Sequence, residues 1–274
     1  MGITAAEVTK LRQVTGAGMM DCKKALTDAN GDFDEAIKII REKGKAIANK
    51  RADRLAGEGV ALATVSADKK FGVLTVLNCE TDFVAKNDDF IKRAEKLNAI
   101  ALAQKPANID ALKTLKVDGT VISDVLGEMM SAIAEKIDLS YYEGISAEMV
   151  VPYIHPGNKI ATLVGFSKVI SEQVGRDIAM QVAAMNPVAV DKSSVSKEVI
   201  EREIEIGKEQ ARNECKPEEM LEKIALGKLN KFYKESTLVE QAFIKDQKKT
   251  VAQHLAEHDK EAKVTAFLRF SLND

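Results

Sequence analysis

The sequence predicts an α+β protein. It comprises a small N-terminal three-helix unit, a core of two related antiparallel-sheet-and-helix subdomains, and an inserted antiparallel coiled-coil hairpin. Three observations over the 274 residues lead there. The apolar period is helical to about residue 54, then changes to short alternating or continuous apolar runs at 58–65 and 71–77. A pattern recurs: 72–77, a helix and Ala103-Gln104-Lys105-Pro106 are matched by 160–166, a helix and Ala184-Met185-Asn186-Pro187. Between 194 and 235 two helical stripes are joined by a connection too short for anything but a hairpin. The expected division is 1–55, 56–139, 140–193, 194–235 and 236–274, the last piece completing the second subdomain.

In order, Thr4 followed by Glu7 is a capping box, and Val8, Leu11 and Val14 mark the first apolar face. Gly16-Ala17-Gly18 breaks that helix. A second starts at Met19 and stops at Asn30-Gly31, and Asp32 caps a third through Ala36, Ile37 and Ile40. Met19 and Met20 point about 100° apart on a helix, so one is expected in the core and the other in solvent. The basic run Arg41, Lys43, Lys45, Lys50, Arg51 and Arg54, set against Glu42 and Asp53, reads as a solvated helical linker.

Two strands at 58–65 and 71–77 form a hairpin, and a long helix is expected from Asp82 to Pro106. A short helix at 109–115 follows, then a longer one from about Ser123 with Val125, Met129, Ile133 and Ile137 at spacing four. Strands return at 139–143, 149–154 and 160–166, before a helix through Val174, Ile178 and Val182. In the hairpin, Ile200, Ile204, Gly207 and Ala211 face Leu221, Ala225, Leu229 and Phe232 across Asn213-Glu214-Cys215-Lys216-Pro217. An extended piece at 240–245, a helix at 249–258 and a strand at 264–270 end the chain.

The formal charge of −2 gives no overall basic footprint for nucleic acid. Cys22, Cys79 and Cys215 are far apart with no paired spacing, which argues against a disulfide framework or zinc site and for a reducing compartment. Met1-Gly2-Ile3-Thr4 lacks the regions of a signal peptide, and no apolar run approaches a membrane span, so a cytoplasmic protein is expected. Gly16-Ala17-Gly18 lacks the ending of a phosphate loop and follows no strand, leaving a turn. His254 and His258 share a helix face without the glutamate of a metalloprotease helix, which leaves a solvated helix end. His155 sits in a turn with no nucleophile indicated, and Asp82, Asp88 and Asp89 fit no cation loop. No catalytic site, metal or cofactor is expected. Attention falls on Asn78-Cys79-Glu80-Thr81-Asp82-Phe83-Val84, where a strand-to-helix junction projects an acidic and an aromatic side chain together.

Thr15-Gly16-Ala17-Gly18-Met19-Met20-Asp21-Cys22-Lys23-Lys24-Ala25-Leu26 and Asn78-Cys79-Glu80-Thr81-Asp82-Phe83-Val84-Ala85-Lys86 resemble bacterial elongation factor Ts in order and context. So do Tyr153-Ile154-His155 with Lys159-Ile160, Gln241-Ala242-Phe243 and Lys248-Lys249-Thr250-Val251. The resemblance spans essentially the whole chain. It implies a guanine-nucleotide exchange factor for the GTPase elongation factor Tu, with a ubiquitin-associated-like N-terminal domain. By motif, Asp82 and Phe83 enter the GTPase near its nucleotide, Phe83 wedging between helices and disturbing the Mg²⁺ and phosphate contacts. Arg12, Met19, Met20 and Lys23 match the surface that grips the nucleotide domain. Leu126-Gly127 match an apolar-Gly pair near the Asp-Phe element. His155, Ile244 and Lys245 match contacts on the core's far side.

Two departures stand out. Many members continue beyond the Arg269-Phe270 strand with a Gly-Glu-Gly turn and a helix, and that contact is expected to be absent or replaced here. Lys245 is charged where the family often has an apolar residue. The competing reading is a non-catalytic adaptor that binds partners through the N-terminal bundle and the hairpin. A second alternative for the hairpin is the pairing of two copies into a homodimer.

Overall fold

The computed structural model describes residues 2–51 and 53–274, with all their side chains except those of Lys45, Ala48 and Asn49. Helix α1 (Ala5–Thr15) opens on the expected capping box. The Thr4 N–H donates to the Glu7 carboxylate at 2.7 Å, and the Glu7 N–H donates back to Thr4 Oγ1 at 3.3 Å. It ends at Gly16, in the left-handed region at φ 67°. Helix α2 (Met19–Asp28) is followed by Asn30 and Gly31, both at positive φ, and then by α3 (Phe33–Lys50). Leu11, Cys22, Leu26, Ala36 and Ile40 close a small core. Neither methionine belongs to it: Met19 is 43% and Met20 75% exposed.

The basic run is no solvated linker. Residues 41–50 are the second half of α3, one unbroken helix of 18 residues, and Arg51 and Arg54 follow its end. Arg41 Nε donates to Glu128 at 3.0 Å, Lys43 pairs with Asp21, and Arg51 and Arg54 both reach Glu80 at 3.1 Å. A charge run read along the sequence looks solvated because its partners lie far away in the chain. Lys45 falls outside the described side chains.

Strands β1 (Glu58–Val65) and β2 (Phe71–Cys79) form the expected antiparallel hairpin. The long helix expected from Asp82 is two: α4 (Asp82–Ala85) and α5 (Asp88–Gln104). Asn87 separates them, its side-chain Oδ1 accepting from the N–H groups of Asp89 (2.9 Å) and Phe90 (3.3 Å) as a fresh N-cap. After α6 (Ile109–Thr114), a tight hairpin not expected from the sequence pairs β3 (Lys116–Val117) with β4 (Thr120–Val121). Asp118 and Gly119 make its turn, both at positive φ. Helix α7 (Ile122–Ile133) stops at Ala134 (φ 61°), so Ile137, the last member of the expected stripe, is buried beyond the helix.

Strand β5 (Asp138–Ser146) pairs with β2, giving a first sheet of order β1-β2-β5. The expected boundary at 139/140 therefore cuts through a strand, and the first sheet extends to Ser146. Strands β6 (Met149–Ile154) and β7 (Ile160–Phe166), helix α8 (Glu172–Met185), and helices α9 (Lys197–Asn213) and α10 (Glu218–Ser236) follow. The short β8 (Ala242–Phe243) and β9 (Asp246–Thr250), helix α11 (Val251–His258) and strand β10 (Val264–Ser271) complete the chain. Residues 246–250 pair as a strand, and Thr250 caps α11.

The second sheet has the order β6-β7-β10. Each sheet is thus a hairpin whose second strand is central, followed by a helix and later by a third antiparallel strand. The two sheets face one another through Ala61, Ala63, Leu74, Val76, Val150, Ala161 and Leu163. Phe90 and Leu97 of α5 and Met129 of α7 join the core of the first sheet. Ile178 and Val182 of α8 join that of the second. Helices α9 and α10 run back along one another, so close at Gly207 that a Cβ there would lie 3.0 Å from Ala225 Cα. Gly207, Ala211, Leu221, Ala225 and Leu229 are the buried residues of that seam.

Candidate functional site

The site is built where β2 runs out. Eight of its nine residues are buried, ending in Cys79, whose thiol burial pushes up to about 12. Such a thiol is inert at neutral pH. Thr81 then caps α4, which packs on the first sheet through Val84 and Ala85 while Phe83 turns outward. The outcome is a Phe83 side chain 83% exposed on a short, rigid mount. Burying a phenylalanine is worth about 2 kcal/mol, so this side chain keeps that much contact energy for whatever covers it.

Asp82 points along the same helix. Its hydrogen bond to Lys86, at 2.6 Å, holds its carboxyl below the ordinary carboxylate range, and Lys159 adds to the effect. Lys159 also pairs with Glu58 at 2.9 Å. The turn between β6 and β7 thus lies beside Asp82. That turn carries His155, exposed, with Nδ1 2.9 Å from the Tyr153 hydroxyl. His155 is therefore on the Asp82 side of the core and not on its far side.

A groove of about 460 Å³ runs beside Phe83. Val84, Phe90, Met129 and Ile133 give it apolar walls, and Arg12 and Arg93 with Asp89 and Glu128 give it a rim of mixed charge. Arg12 thus shares the site with Phe83 although 71 positions separate them in sequence. Met19, Met20 and Lys23 lie outside the groove, exposed on α2.

Leu126 and Gly127 do not present themselves to a partner. Leu126 is 5% exposed, and Gly127 is buried where α3 crosses α7. A Cβ at Gly44 would lie 2.8 Å from the Gly127 carbonyl oxygen. Glycine at 44 permits that approach, and burial leaves Leu126 and Gly127 as packing residues. Ile244 is half-buried, and its N–H donates to Gln181 Oε1 at 2.8 Å. Lys245 is exposed and pairs with Asp177 at 2.7 Å. The two mark a separate patch on β8–β9 and α8.

His254 is not at a solvated helix end. It is 7% exposed and stacked on Phe243 with ring centres 4.1 Å apart, and its burial lowers the imidazole pKa. Among the described residues no group of three or more His, Cys, Asp or Glu is arranged to hold a metal ion. Nor is any helix among them long and apolar enough to cross a membrane.

Sequence reasoning missed the residues that fix the mount. The Glu135 carboxylate accepts from the N–H groups of Glu80 and Thr81, each at 3.1 Å. No local spacing signals a partner 54 or 55 positions away.

An exposed aromatic on a pinned junction, with an apolar groove of charged rim at its side, defines a protein-docking α+β chain. A family sequence model described as "Elongation factor TS" matches residues 80–274. Elongation factor Ts of Amoebophilus asiaticus is 54% identical over 258 residues, covering 93% of each chain. That of Cytophaga hutchinsonii is 50% identical over 99% of each, and that of Christiangramia forsetii 51% over 98% of each. The chain belongs to the elongation factor Ts family.

Proposed function

We propose that the chain promotes release of GDP from elongation factor Tu for exchange with GTP, with Phe83 as a wedge and Asp82 as its polar neighbour. The observation that carries this is Phe83, 83% exposed on a junction that Glu135 pins and that stands beside the groove. The function is binding and not covalent chemistry. A GTPase holds GDP and Mg²⁺ through backbone N–H groups and a metal ion. A protein that binds the nucleotide-free form more tightly than the GDP form must, by linkage, weaken GDP by the same factor. An aromatic that fits only when two helices of the partner part supplies that difference in contact. The adaptor reading lacks an equivalent for so exposed a wedge and is not favoured.

In this reading Arg12, Met19, Met20 and Lys23 grip the nucleotide domain, His155 adds a contact on the Asp82 side, and Ile244 and Lys245 make a separate second contact. The N-terminal three helices act as a ubiquitin-associated-like domain, and α9 with α10 is a coiled-coil hairpin. The working division is an N-terminal unit to residue 55, a first core subdomain to Ser146, and a second interrupted by 194–235. The setting is the cytoplasm. The test is release of labelled GDP from elongation factor Tu. Wild-type chain in catalytic amounts accelerates it, whereas Phe83→Ala binds the GTPase but releases GDP more slowly. Unchanged release by that variant sinks the wedge.

A further inference from the structure

Phe83 reaches into solvent from a helix of four residues, too short to hold its own direction. Something else must fix it, and the structure contains a reciprocal pair of carboxylates that does so. From just beyond the end of α7, Glu135 sends its side chain to the β2–α4 junction. One oxygen accepts the N–H groups of Glu80 and Thr81 (3.1 Å each), and the other accepts the Thr81 hydroxyl at 2.6 Å. Glu80 answers in the opposite direction. Its carboxylate accepts the Lys136 N–H at 2.6 Å and, at 3.1 Å each, the guanidinium groups of Arg51 and Arg54. Each acid thus binds the backbone beside the other, and the closed box also takes hold of the C-terminal end of α3.

We propose that Glu135, with Glu80, is a positioning residue for exchange: the box holds Phe83 at the angle at which it enters the partner. This rests on the wedge reading above. Charge-assisted bonds of this kind are about twice as strong as neutral ones. Three of them converge on the two residues immediately before Asp82. Without Glu135, two backbone N–H groups and a hydroxyl lose their acceptor. The junction then swings, and Phe83 arrives in many orientations. The partner is still bound through the other surfaces, so the loss falls on the rate of release and not on affinity.

The test measures GDP release from elongation factor Tu against increasing chain concentration. Glu135→Ala should lower the maximal release rate on the order of tenfold or more, with the half-saturating concentration within about twofold of wild type. Glu135→Gln should retain most of the rate, since its amide oxygen still accepts two N–H groups and its NH₂ donates to Thr81. A second readout does not depend on the GTPase. The chain has no tryptophan, so Phe83→Trp introduces a single reporter. Its fluorescence anisotropy should fall when Glu135→Ala is added, with the melting temperature little changed. A maximal rate and anisotropy equal to the parent's would overturn the proposal, as would a rise in half-saturation with the maximal rate intact. If Glu135→Ala does not fold, Glu135→Asp decides: its shorter side chain keeps the charge but not the reach to both N–H groups and the hydroxyl, so a lower maximal rate with lower anisotropy supports positioning, and parent values of both overturn it. If wild type itself fails to accelerate release, the exchange reading falls, while the anisotropy comparison still reports whether the box holds residue 83.

Discussion

The two core units share the same order of three antiparallel strands, and the difference that bears on function is the junction that leaves the central strand. In the second unit, β7 ends at Phe166 and the chain crosses 167–171 to α8. That crossing is tied to its own sheet. Ser167 donates its N–H to the Lys263 carbonyl at 2.9 Å and accepts the Lys263 N–H on Oγ at 3.0 Å, and Lys168 pairs with Glu261. It exposes an apolar side chain too, Val169 at 75%. In the first unit, the β2 junction is tied outward, to the ends of α7 and α3, and it stands beside a groove with arginines on its rim. Exposure alone therefore does not mark the site, since single exposed apolar residues are ordinary. The mark is what the junction is anchored to and what lies beside the exposed group.

The sharpest way to break this comparison is to shorten both side chains. Phe83→Ala should reduce stimulated GDP release roughly tenfold or more, and Val169→Ala should leave it unchanged. Both should keep their stability within about 0.5 kcal/mol, as exposed positions do. Equal effects at the two junctions would end the distinction. Next in size is the anchorage. Gly44→Ala puts a Cβ 2.8 Å from the Gly127 carbonyl oxygen, an unyielding backbone atom. Thermal melting should show a loss of about 1–3 kcal/mol. Gly165→Ala in the second sheet meets Ala147 Cβ and Thr265 Oγ1 at 3.0 Å and should cost less.

A smaller effect separates the units by pH. Burial of His254 lowers its pKa below the ordinary value, so the unfolded chain takes up a proton first as the solution is acidified. Stability is full above about pH 6.5 and falls as the pH drops below it. Urea midpoints at pH 7.5 and 5.5 should differ for the wild type and converge in His254→Phe. The smallest effect carries no energetic cost. Cys215 is exposed and should react with a thiol reagent in the native protein, while buried Cys22 and Cys79 should react only on unfolding.

Much of the layout was legible because it follows from period and punctuation. The runs at 58–65, 71–77 and 160–166 show their burial in composition, and Thr4 with Glu7 announces a helix start. What stayed hidden depends on contacts distant in sequence. Nothing local distinguishes Arg41, Arg51 and Arg54 from solvated charges, because Glu128 and Glu80 become neighbours only after folding. Asn87 divided an expected helix because a polar residue in a helical pattern reads equally as surface or cap. His254 was misjudged because its stacking partner Phe243 lies on another element. At the site, Phe83 and Asp82 could be singled out from the strand-to-helix change, but Arg12 joins them only through the folded groove, and Leu126-Gly127 proves to be packing.

The unbroken length of α3 has a mechanical consequence. Its 18 residues make a strut about 27 Å long. Gly44 pressed on Gly127 is a fulcrum that divides it into arms of roughly 16 and 9 Å. The long arm carries the N-terminal helices and the short arm ends beside the carboxylate box. A tilt imposed on those helices by a bound partner would be delivered at the base of Phe83 with its direction reversed and its amplitude about halved. A coarse movement at one end of the molecule thus becomes a fine adjustment at the other.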